Sequence, residues 1–224
     1  MPVALALLAA LTVSAPSVRF VTVISSKKGF YTTSMRMPVF TGATWADRVN
    51  KDIAGKARKA LADWMSESFP AATKNQKPRL EYFYQSAPTI SLLTPDVASF
   101  YYTVSTFTAG AHPMTISDPH TYVNGREVHS ADVFRKGSGY GTVVSNLVIG
   151  QLMNNARATW VQDGTVQEMT MSQQEDFVVT PTSLCYLFDP YAMGPYAVGA
   201  FQVKVPFSEL RAVLDGNGAL KSML

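Results

Sequence analysis

The stretch FVVTPTSLCYLFDPYAMGPYAVGAFQVKVPF, residues 177–207, decides how this chain is read. Runs rich in β-branched and aromatic residues at 177–179, 184–188 and 200–205 predict strands. Between the last two lies a loop, residues 188–199, holding Pro190 and Pro195, Gly194 and Gly199, Tyr191 and Tyr196. The prolines fix φ at two points, and the glycines permit positive φ at two more. The tyrosines carry large rings at low entropic cost, as interface residues do. One reading is a preshaped recognition loop. The other is a wide structural crossover whose rings pack down onto the sheet. The loop has no hydroxyl–imidazole–carboxylate set and no metal-ligand spacing, which favours binding over bond chemistry.

Upstream, residues 142–158 predict a helix with Val144, Leu147, Val148, Gln151 and Leu152 on one face, preceded by Gly137, Gly139 and Gly141. Residues 162–176 are polar and read as a solvated loop or hairpin. Asn124-Gly125 marks a tight turn between a short strand at 121–123 and a continuation over 128–134. Residues 97–108 predict a strand that is part aromatic on both faces, Phe100 and Tyr102 on one, Tyr101 and Phe107 on the other. One face is expected on a helix and the other against a loop or second layer. That helix is predicted over residues 45–66, where Trp45, Val49, Ile53, Ala57, Leu61 and Trp64 form one stripe, opened by Thr44 and Asp47 as a near capping box. Strands at 18–24, 30–37 and 80–85 and a short helix at 208–214, stopped by Gly216, complete the pattern. The expected fold is α+β: antiparallel sheets with one main helix per half, in two strand–helix–strand units over residues 18–108 and 109–224.

Of the 224 residues, 47% are apolar, enough for a real core. The net charge of +3 is too mild and dispersed for a nucleic-acid partner, and compatible with weak attraction to anionic wall polymers. Residues 1–17 read as a signal peptide, with an uncharged eleven-residue apolar run too short for a membrane span and small residues at Ala15-Pro16-Ser17. Export to the periplasm or the extracellular space is therefore expected, with no transmembrane span in the mature chain. Cys185 is the only cysteine, so no intrachain disulfide forms, and its strand setting predicts a small buried side chain.

Catalytic signals are weak. His112, His120 and His129, spaced by eight and nine residues, match no common zinc motif, and neither metal nor cofactor is expected. No Gly-x-Ser-x-Gly elbow occurs, and the glycines at 137–141 lack the Lys-Ser/Thr of a phosphate loop. Glu168 and Asp176 are the carboxylates weighed as a hydrolytic pair, without a local mark for it. His112 follows a turn after the long strand, where it either ties that turn to a neighbouring strand or lies at a binding edge.

The segments SFYYTVSTFTAGAHP, TYVNGREVHSADVF and FVVTPTSLCYLFDPYAMGPYAVGAFQVKVPFSEL resemble the extracytoplasmic module of RsiV-type anti-sigma factors and of PdaC-type peptidoglycan deacetylases. The family's turn reads Gly-Gly-Ala-His; here Ala109 stands at the first Gly. The resemblance implies an extracytoplasmic α+β module without catalytic residues of its own, which in RsiV-type proteins binds lysozyme. No short motif carries the lysozyme contacts onto this sequence residue by residue. The expectation is a non-catalytic envelope module whose candidate partners are lysozyme-like wall hydrolases or peptidoglycan, with contacts at Tyr191, Met193, Tyr196 and His112. A wall-polymer hydrolase with carboxylates assembled in the fold, and a structural envelope protein, are the alternatives.

Overall fold

The computed structural model describes residues 15–70 and 75–224. Most of the expected signal peptide, residues 1–14, lies outside the described residues. The chain runs β1 (Ser17–Lys27), β2 (Tyr31–Thr41), α1 (Ala46–Ser68), β3 (Tyr82–Leu93), β4 (Val97–Phe107), β5 (Met114–Val123), β6 (Arg126–Glu127), α2 (Ser130–Val133), α3 (Tyr140–Met153), α4 (Thr159–Gln162), β7 (Phe177–Val179), β8 (Ser183–Phe188), β9 (Phe201–Pro206) and α5 (Phe207–Leu210). The α+β class follows directly from this order. Among the described residues, no helix is long and apolar enough to cross a membrane.

Strands β1 to β6 form one sheet in sequence order, and β7 to β9 form a second. The expectation of purely antiparallel sheets is corrected at one ladder: β2 and β3 pair in parallel over Tyr31–Met35. The cause is α1, which carries the chain back across the sheet between them, as a parallel pair requires. Beyond Met35, β2 leaves β3, and Asn50 of α1 satisfies its edge. The Asn50 side chain accepts from Phe40 N at 2.8 Å and donates to Phe40 O at 2.9 Å. The first sheet runs on to Glu127, so the expected division at residue 108 falls in the β4–β5 hairpin within it.

Strand β4 is the middle of the molecule because both its faces are apolar. Ala98, Phe100, Tyr102 and Val104 join the α1 stripe of Trp45, Val49, Ile53 and Trp64 in one core. On the opposite face Tyr101 packs on Val178, Cys185 and Leu187, and Ser99 Oγ accepts the Val179 N–H at 2.8 Å. Burying a ring such as Phe100 is worth about 2–3 kcal/mol, so each face of β4 fixes one layer. A larger core gathers α3, the second sheet and α5 around Val144, Leu184, Phe188 and Leu210.

Local readings are corrected in five places. The Thr44/Asp47 capping box does not form; Trp45 is the N-cap, with no side-chain cap bond, and its indole instead donates to Pro95 O at 2.7 Å. Residues 128–134 do not continue as a strand, because the Asp132 carboxylate accepts the His129 N–H at 3.1 Å and starts α2. The helix predicted to Ala158 stops at Met153 and resumes as α4, and α5 covers only Phe207–Leu210. Strand β3 is twice the predicted length, twelve residues, with Pro88 opposite Tyr102.

Candidate functional site

The β4–β5 turn and the β8–β9 loop converge. His112 Nδ1 donates to Pro113 O at 2.9 Å, and its Nε2 lies 3.3 Å from the Tyr191 hydroxyl, within hydrogen-bond reach. The His112 ring stacks on Tyr196, centroids 3.8 Å apart at 24°, and the Tyr196 hydroxyl donates to Pro113 O at 2.6 Å. Tyr191 and Tyr196 are 5.4 Å apart. Three of the four expected contact residues therefore form one aromatic cluster, with Tyr191 48% exposed. The fourth is corrected: Met193 is 0% exposed and belongs to the core beneath the loop, because a flexible thioether fills that gap better than water would.

The loop is held from several sides. Asp189 Oδ1 accepts the Ser117 N–H at 2.6 Å, tying the end of β8 to β5. The Arg157 guanidinium donates to Val198 O. Gly194 is obligatory, since a Cβ there would lie 2.9 Å from Val198 Cγ2 and 3.2 Å from Arg157 O. Three non-glycine residues among those described take positive φ: Ala109 at 63°, Asn124 at 50° and Tyr191 at 72°. Asn124 opens the Asn-Gly turn that favours this conformation. Ala109 and Tyr191 have no such excuse, and both belong to the turn and loop that build the cluster. Strain of this kind gathers where the surroundings impose a functional shape.

A second cluster, missed in the sequence, lies between α1 and the sheet. His120 is buried on β5, donating from Nδ1 to Glu127 Oε1 at 2.8 Å and from Nε2 to Asp118 Oδ2 at 3.4 Å. Lys56 bonds Glu127 on one side and lies 3.3 Å from Asp52 on the other, and the Tyr122 hydroxyl donates to Asp52 at 2.6 Å. Burial alone would lower the His120 pKa, yet its bonds to Asp118 and Glu127 hold it above the ordinary value. Burial would raise Glu127, but the His120 and Lys56 bonds bring it down to about 2. The adjoining cavity of about 30 Å³ admits a water, not a sugar ring. An imidazolium with both N–H groups given to carboxylates has no lone pair for base catalysis.

Glu168 and Asp176 are not brought together. Glu168 lines a cleft at the start of α3. Asp176 is pushed up to about 6 by burial, then by the charges of Asp189, Asp118 and Glu175. Among the described residues, no three His, Cys, Asp or Glu side chains group to hold a metal ion. His129 lies 3.7 Å from Glu175 and caps α2 together with Asp132. Cys185 is buried and its thiol pushed up by burial, as its strand setting predicts.

Residues 24–115 match the family model described as deacetylase PdaC, and residues 131–208 match that of a protein of unknown function, DUF3298. The two matched segments follow one another along the chain, and each covers less than half of it. A crystal structure of a DUF3298 family member from Bacteroides fragilis superposes with a TM-score of 0.70, covering 94% of this chain and 98% of that one at 15% identity. A DUF3298 family protein from Pseudomonas aeruginosa gives 0.64, over 90% and 96%, at 14% identity. At these identities the likeness shows the fold. No curated protein matches the sequence. The aromatic cluster draws on both segments: His112 comes from the PdaC-type part, Tyr191 and Tyr196 from the DUF3298-type part.

Proposed function

We propose that this chain is an exported, non-catalytic binding module of the cell envelope. It docks a lysozyme-like wall hydrolase, or peptidoglycan itself, on the surface made by His112, Tyr191 and Tyr196. The observation that carries this reading is the convergence of three rings from two distant segments, with Tyr191 half exposed and held at φ 72°. A purely structural crossover has no need to display a ring from a strained backbone position. Rigid tyrosines lose little entropy on docking and bury much area, which suits shape-complementary binding. The PdaC-type match supports a place in the envelope. A net charge of +3 gives no bulk attraction to a basic hydrolase, so contact shape rather than steering sets affinity. The outcome of docking is inhibition or sequestration of the partner.

Retention of the purified chain on immobilised lysozyme and on insoluble peptidoglycan tests the reading. Retention on one of them, lost on Tyr191→Ala, supports it; passage of the wild-type chain through both removes it.

A further inference from the structure

The cleft at the start of α3 shares no residue with the aromatic surface, and its chemistry is selective. Its volume is about 860 Å³, within the range of about 300–1,000 Å³ of small-ligand sites. Tyr140, Gly141, Thr142, Asn146, Glu168 and Gln174 line it. Helix α3 has fourteen residues, and the N–H groups of Tyr140 and Gly141 have no intrahelical acceptor at that end. Gln174 is 4% exposed, and its Nε2 donates to Gly141 O at 3.2 Å. Its Oε1 has no hydrogen-bond partner among the described residues. A buried amide oxygen left without a donor is costly, and it lies at Gly141, where an added Cβ would come within 3.0 Å of it.

We propose that this cleft binds a neutral, hydroxyl-rich ligand of the carbohydrate class. A hydroxyl both donates and accepts, so one group answers the unpaired Gln174 oxygen and the free helix amides together. A simple anion would face Glu168 and the Gln174 oxygen, and no Lys or Arg lines the cleft. A simple cation would face the positive end of the α3 dipole. The walls are set in advance. Met169 N–H donates to Ser145 Oγ at 2.9 Å, Ser130 Oγ donates to Gln174 O at 2.7 Å, and the Tyr140 ring stacks on Phe134 at 4.4 Å. Preorganisation lowers the entropic cost of binding.

The test is an NMR titration of the labelled whole chain with chitotetraose, and separately with sodium sulfate. Saturable shifts of the Tyr140, Gly141, Thr142 and Asn146 amides with the sugar, and not with sulfate, are expected. Gln174→Leu should weaken the sugar at least tenfold. Should that variant unfold, the exposed Asn146→Ala should weaken it at least threefold. Loss of lysozyme or peptidoglycan retention on Tyr191→Ala reports on the aromatic surface alone, so the two readings fail separately. No saturable shift up to about 10 mM sugar, ten times a 1 mM Kd, overturns the inference, as do shifts confined to the Tyr191 loop or a stronger response to sulfate.

Discussion

His112 and His120 are eight residues apart in the chain, one in the turn before β5 and one within it, yet their rings meet different surroundings. His112 bonds a carbonyl and a phenol, both neutral, and offers its flat face to Tyr196. His120 bonds two carboxylates, beneath a helix whose Lys56 completes the charge balance. The first arrangement costs backbone strain and leaves aromatic surface in view. The second saturates every donor and ties α1 to β5 and β6. On the proposed reading, conformational strain with incomplete burial belongs to a surface that works on something else, and a saturated ion network to a brace.

The largest effect that separates the two regions is expected from the brace. Glu127→Ala strips Lys56 and His120 of a shared partner and should cost about 2–3 kcal/mol of stability by urea unfolding. A quarter of the Glu127 side chain is exposed, which keeps the cost below that of a fully buried pair. A change under 0.5 kcal/mol would dissolve the contrast. Next, Tyr191→Ala should cost about 2 kcal/mol of partner binding, roughly thirtyfold in Kd, with little change in the urea midpoint.

A pH series sharpens the comparison further. His120 is raised above 6.5 in the folded chain, so its stabilisation is full below that value and lost as pH rises through the folded pKa. Asp176, at about 6 against 3.8, likewise favours the fold below 3.8 and loses that contribution as pH rises through 6. Glu127, at about 2 against 4.5, contributes above 4.5 and loses it as pH falls toward 2. The urea midpoint should peak near about pH 4, and Asp176→Asn should flatten its alkaline fall; a flat profile contradicts these assignments. The smallest effect belongs to the aromatic side: Ala109→Gly relieves a positive φ and should stabilise by about 0.5–1 kcal/mol, read as a shift in the thermal midpoint. No gain would mean that Ala109 is not strained.

Much of the fold was legible because its signals are local. The two apolar faces of β4 placed a helix on one side and a second layer on the other, and the stripe from Trp45 to Trp64 named that helix. The parallel β2–β3 ladder was not legible, since pairing direction depends on where α1 returns the chain. The binding candidates were found through loop composition, which distinguishes stiffness but not depth. Tyr191, Tyr196 and His112 came to the surface together, while Met193, three residues from Tyr196, turned inward. The His120 brace left one faint trace, Asp118 and His120 two apart on one face of a strand; Glu127 joins from the next strand, and Asp52 and Lys56 come from α1, far upstream in sequence.

The proposed division of labour gives the His112–Tyr191–Tyr196 cluster a partner and the His120 network the fold. Measuring partner Kd and urea midpoint together for Tyr191→Ala and Glu127→Gln tests it most directly. A crossed result is expected, in which Tyr191→Ala loses binding at an unchanged midpoint and Glu127→Gln lowers the midpoint while the folded fraction binds as wild type. Binding that survives Tyr191→Ala and is abolished by Glu127→Gln in folded protein would contradict it.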